Sequence, residues 1–78
     1  MAQDDMDRSV LEKLSAKGGA QRRVTLTPAE AGLSAGDLRR TTQGLLKNGD
    51  VNGQWVGQVL EQDYADLQLT SEGVRRIE

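Results

Sequence analysis

The chain has 78 residues, a net charge of −2, no cysteine and no histidine. That length holds one small domain, and the missing residue types exclude disulfides, thiol chemistry, and the imidazole that is the usual metal ligand and near-neutral general base. No apolar run is long enough for a membrane helix or a signal peptide, so a cytoplasmic protein is expected; with one Trp, one Tyr and no Phe, its core must be mostly Leu and Val.

Residues 1–4 are expected to form a disordered tail and residues 5–78 a single domain. Asp4 or Asp5 is placed to cap a first helix, in which Met6, Val10, Leu11 and Leu14 recur as one apolar stripe. Lys17 suits its C-terminal end, and Gly18-Gly19 stops it. Arg23 to Leu26 reads as a brief strand with Val24 and Leu26 inward. A second helix opens at Thr27-Pro28. Glu30, three residues past Thr27, has the spacing of a capping box, and this helix ends near Leu33.

Ser34 caps a third helix, with Asp37 in its first turn, Lys47 in its last and Asn48-Gly49 as a left-handed stop. Leu38, Thr42 and Leu45 fall on one side of it; Arg39, Arg40, Gln43 and Lys47 fall on the other or its flank. Thr41, Thr42 and Gly44 are weak helix formers, so this helix depends on tertiary packing, while Gly36 and Gly44 leave gaps on its surface. Trp55 to Leu60 and Tyr64 to Leu69 alternate with a period of two. They predict a hairpin turning at Glu61-Gln62-Asp63, with Ala65, Leu67 and Leu69 inward and Asp66 and Gln68 outward. A competing turn at Asn52-Gly53 has the stronger dipeptide signal but leaves a very short first strand. Thr70 caps a last helix from Ser71 to Glu78, with Val74 and Ile77 inward. The order helix, strand, two helices, hairpin, helix gives an α+β domain with helices packed on a small antiparallel sheet.

Gly32-Leu33-Ser34, Leu38-Arg39-Arg40, Leu45, Gly49 and Val51 resemble the turn and second helix of winged helix-turn-helix proteins. Leu69-Thr70-Ser71-Glu72-Gly73-Val74 resembles that family's exit from the wing into a last helix. The resemblance covers roughly residues 6–78 and implies a three-helix core with a C-terminal helix and a wing hairpin. The family normally has several more residues between Glu30 and Gly32, so the second helix is unusually short here. The resemblance also implies duplex DNA binding by a small transcriptional regulator, with the third helix in the major groove.

Charge is unevenly distributed. Residues 1–7 carry −3, residues 8–60 carry +4 and residues 61–78 carry −3, so a basic middle lies between acidic ends. The DNA-binding candidates are Ser34, Ala35, Gly36, Arg39, Arg40, Gln43 and Lys47 on the third helix, with Arg22 and Arg23 in the loop before the strand. Arg pairs with both acceptors of guanine and Gln with adenine. Ser34 and the helix N-terminus suit a phosphate, as do Arg22 and Arg23, with Lys13 and Lys17 near them in sequence. Each of these groups has a plainer reading as an ordinary solvated surface charge. Glu61, Asp63 and Asp66, at or near the hairpin tip, would be repelled by a duplex. They favour the alternative of a protein-interaction module that does not bind DNA and uses an exposed wing face with Trp55, Val56 or Leu60. Trp55 and Tyr64 are expected to pack across the hairpin rather than stack bases. No catalytic constellation, phosphate loop or metal-ligand spacing is present, so no enzyme activity, cofactor, metal or small-molecule ligand is expected. A single module contacts few bases, so specificity would need a homodimer, a protein partner or a tandem site, with the first or last helix available for dimer contacts.

Overall fold

The structure, a computed structural model, describes residues 3–59 and 62–77. Among these the chain forms helices α1 (Gln3–Ala16), α2 (Pro28–Ala31), α3 (Ala35–Asn48) and α4 (Ser71–Ile77) and strands β1 (Val24–Leu26), β2 (Val51–Val59) and β3 (Gln62–Leu69). The strands make one antiparallel sheet in the order β1-β3-β2. The fold is α+β, as the alternation of helical and two-residue periods requires.

Helix α1 begins at Gln3, earlier than expected, and carries Asp4 and Asp5 in its first turn, where the helix dipole favours carboxylates. Gln3 and Asp4 are therefore helical rather than part of a tail; Met1 and Ala2 lie outside the described residues. Val10, Leu11 and Leu14 are completely buried, and Met6 nearly so. Gly18 stops the chain in a left-handed conformation (φ +85°). The neighbouring Gly19 carbonyl accepts the Leu69 N–H at 2.8 Å, which ties this loop to the end of β3.

Hairpin β2–β3 starts at Val51, directly behind α3, and is longer than the alternation from Trp55 suggests. Val51, Gly53 and Trp55 face Leu69, Leu67 and Ala65 across the ladder. These three β3 residues are buried, as expected, so this is the core face. Asn52, Gln54 and Val56 face Gln68, Asp66 and Tyr64 on the outer face. This register rejects the competing turn and corrects one expectation, the packing of Trp55 on Tyr64. Asn52-Gly53 is no turn but mid-strand. A Cβ at Gly53 (φ +139°) would stand 1.9 Å from the Asp66 carbonyl, so glycine is needed there for close approach of two backbones. Trp55 and Tyr64 do not pack across the hairpin, because they project from opposite faces. Gln62 and Asp63 belong to β3 rather than to the turn; Leu60, Glu61 and Glu78 lie outside the described residues.

The core is the slab between α1, α3 and the inner sheet face: Val10, Leu11, Leu14, Leu26, Leu38, Leu45, Val51, Ala65 and Leu67. Val74 and Ile77 of α4 pack on its margin. Where α3 turns into β2, the chain is clamped by the start of α4. Thr70 donates its N–H to the Asp50 carbonyl (3.0 Å) and its hydroxyl to the Gly49 carbonyl (2.7 Å). The same hydroxyl accepts the Gly73 N–H (3.2 Å), so Thr70 caps α4 as expected. Gly73 packs so closely that a Cβ would lie 2.1 Å from the Asp50 carbonyl.

The Gly73→Ala substitution should therefore destabilise the protein by about 1–2 kcal/mol, because overpacking against a rigid carbonyl outweighs the roughly 1 kcal/mol gain in helix propensity. Urea unfolding checks this; a more stable variant would show that α4 yields freely. The Thr42 hydroxyl is buried with no hydrogen-bond partner among the described residues. Thr42→Val removes that orphan without changing shape and should raise stability by about 1 kcal/mol, read as a higher melting temperature.

Candidate nucleic-acid interface

The candidate face belongs to α3, and two local devices set its start. The Thr27 hydroxyl accepts the Glu30 N–H (3.2 Å), and the Glu30 carboxylate accepts the Thr27 N–H (3.1 Å), completing the capping box of α2. Helix α2 is a single turn ended by Gly32 in the left-handed region (φ 71°). Two residues later the Ser34 hydroxyl accepts the Asp37 N–H (3.1 Å) and opens α3. Gly49 (φ 83°) closes α3 where Asn48-Gly49 predicted it.

Leu38, Thr41, Thr42 and Leu45 are buried and define the inner side of α3. Thr41 was not expected there. Its hydroxyl accepts a hydrogen bond from the Gln3 side chain of α1 (3.1 Å), a long-range contact with no local sequence signal. At 100° per residue the opposite side of the helix is Gly36, Arg40, Gln43 and Lys47, with Arg39 on its flank. All five are exposed. Gly36 has no atom within 4 Å of the place a side chain would start, so nothing in the fold covers the first turn of this face. Gly44 is likewise open and tolerated rather than required.

Arg39 and Lys47 form no ion pair among the described residues, and Arg40 has only a loose one with Asp37 (3.7 Å), with its side chain 70% exposed. Such a pair contributes little and yields readily to a phosphate or base. Along α3 these cations span about 12 Å, from the rise of 1.5 Å per residue. Ser34 and Ala35 are exposed at the helix start. The positive end of the helix is already met by Asp37 in the first turn, which opposes a second anion at that point.

Arg22 and Arg23 are exposed but stand elsewhere. They lead into β1, on the sheet edge opposite β2, whereas α3 packs mainly on β2 and β3. The fold does not gather them onto the outward side of α3. Lys17 is also committed: its ammonium donates to the Thr25 carbonyl (2.6 Å) and to the Glu30 carboxylate (2.6 Å). With Lys13, Ala16, Leu26 and Glu30 it lines an open hollow of about 300 Å³. Among the described residues no cluster of acidic side chains is arranged to hold a metal ion, and no helix is long and apolar enough to cross a membrane.

The acidic wing is less acidic than the sequence suggests. Asp66 is not at the tip; it lies mid-strand, opposite Thr25 on one side and Gln54 on the other. Asp63 is half-buried, with its carboxylate close to the position a Cβ would take on Gly57, beside the Trp55 indole. Comparison of the chain with protein-family models, curated proteins and solved structures gave no match.

Glu30 ties α2 to both Thr27 and Lys17. The Lys17 hydrogen bond, followed by the Thr27 N–H, holds its pKa below the ordinary 4.5. A lowered carboxylate pKa gives stability that is fully present above the unfolded value and is lost as pH falls through the folded one. Glu30→Gln should thus be less stable than the parent at pH 7. The difference should vanish once the pH drops below the folded pKa of Glu30, as thermal melts from pH 7 to pH 2 would show.

Proposed function

We propose that this chain is a winged helix-turn-helix module that binds duplex DNA through the outward side of α3, in a transcriptional regulator. One observation carries the reading. A 14-residue helix, capped at both ends and seated by four buried residues, presents Arg39, Arg40, Gln43 and Lys47 outward, with no protein group covering them among the described residues. A helix of that width fits the major groove, and these side chains are the types that read guanine and adenine edges there. The layout of α2, the Gly32-Leu33-Ser34 corner, α3, a hairpin and a small sheet is compatible with the winged-helix arrangement. Arg39, Arg40 and Gln43 would meet bases and Lys47 a phosphate; Ser34, beside Asp37, would serve as the helix cap. Ala35 and Gly36 would allow the backbone close to the groove wall. Arg22 and Arg23 lie on another edge and would contribute at most to general attraction.

The net charge of −2 argues against tight non-specific binding, so affinity should depend on the α3 face and fall with salt. The test is an NMR titration of labelled protein with a mixed-sequence duplex at low and then moderate salt. The reading expects amides from Ser34 to Lys47 to shift and the shifts to fade as salt rises. If none moves at low salt, DNA binding is wrong, and the protein-interaction reading, with its contact on the wing, takes its place. On an identified site, Arg40→Ala should lower affinity by about 1–3 kcal/mol and relax the preference at one base pair; an unchanged binding isotherm would remove Arg40 from the contact.

A further inference from the structure

The sheet has two edges, and they differ. Strand β1 has three residues and is flanked by Arg22, Arg23 and the Lys17–Glu30 pair. Such a short, charge-flanked edge discourages pairing. Strand β2 is the other edge, with β3 on one side only. Its nine residues, Val51–Val59, include no charged residue and no proline, in a chain where 28% of residues are charged. It is regularly paired with β3 from Val51 to Val56, and the register shifts only after Val56. The first six residues are therefore a continuously paired, neutral strand at the sheet edge, lacking the lysines, prolines and inward charges that commonly guard one. Asn52 and Gln54 on it are exposed.

We propose that this edge pairs with the same edge of a second copy of the chain, antiparallel across a two-fold axis, giving a continuous six-stranded sheet. Three observations select a second copy. A two-fold contact needs a self-complementary strip. A neutral strand whose exposed side chains are amides, each both donor and acceptor, meets itself without like charges opposed. The apolar faces of the first and last helices are already used. The apolar stripe of α1 is buried in the chain's own core, and Val74 and Ile77 of α4 pack against it. A foreign strand would find no charge on β2 to select it. Helix α3 runs into β2 through Gly49 and Asp50, so the pairing also sets one α3 relative to the other. The inference does not depend on DNA binding, because the experiment uses protein alone.

Six paired residues make a small interface, so the dimer is weak, with a dissociation constant on the order of 10–100 µM. Sedimentation velocity of the full chain from 1 µM to 500 µM should show a reversible shift from monomer to dimer. Gln54→Lys places like charges near the axis and should weaken the dimer about tenfold or more, while the circular dichroism spectrum and melting temperature of the monomer stay unchanged. Asn52→Lys should do the same, a control against a local folding defect at one position. Amide exchange along β2 should slow with concentration in the parent and not in the variants. A chain that stays monomeric at 500 µM overturns the proposal and leaves the edge to a strand from another protein. A dimer indifferent to both lysines also overturns it, by placing the contact elsewhere.

Discussion

A carboxylate taken almost out of water at the exit of α3 holds the molecule together. Asp50 is 5% exposed, and such a group costs several kcal/mol unless a cation and hydrogen-bond donors meet it. Arg76, from the last turn of α4, provides that cation by donating a hydrogen bond to the Asp50 carboxylate. Its other nitrogen lies 3.9 Å from Asp7 of α1, which is itself only 8% exposed. Gln3 then bridges Asp7 to Thr41 of α3. One arginine therefore joins the first helix, the last helix and the corner between α3 and β2. Removing it would leave two nearly buried carboxylates without their shared cation.

That corner governs how α3 is presented. The helix has two threonines and a glycine around its middle and would be marginal alone. It is held by burial of Leu38, Thr41, Thr42 and Leu45, by the Ser34 cap at one end and by Gly49 with the Asp50 clamp at the other. Because all the restraint acts on the inner side and the two ends, the outward side keeps its cations free of structural duty. A helix fixed in this manner can offer a rigid row of charges without those charges being needed for the fold.

The sequence made local features legible and hid distant ones. The caps of α2, α3 and α4 follow from residues three apart, and the stop at Gly49 from one dipeptide, so they could be read directly. The inward residues of β3 followed from simple alternation. The alternation was legible only from Trp55, because Asn52-Gly53 interrupts it; the neighbouring carbonyl of Asp66 shows that glycine serves backbone contact there. The opposite faces of Trp55 and Tyr64 depend on register, which no single strand encodes. Asp50 and Arg76 are 26 positions apart, and nothing local marks either as a buried partner. For the candidate site, the exposed row on α3 was readable from helical spacing. The separation of Arg22 and Arg23 from it was not, because that depends on the order of strands in the sheet.

The contact between Arg76 and Asp7 also means that α1 starts where α4 finishes. The first turns of α1 and the last turn of α4 therefore stand together beside the inner side of α3, away from its outward row. Folds with adjacent ends tolerate insertion into a loop of a host protein and re-joining in a new order. A host chain could thus be interrupted by this domain with short connectors and resume its own course, leaving the cationic side of α3 unobstructed. The paired ends of the two helices and the cationic row of α3 thus occupy separate parts of the surface.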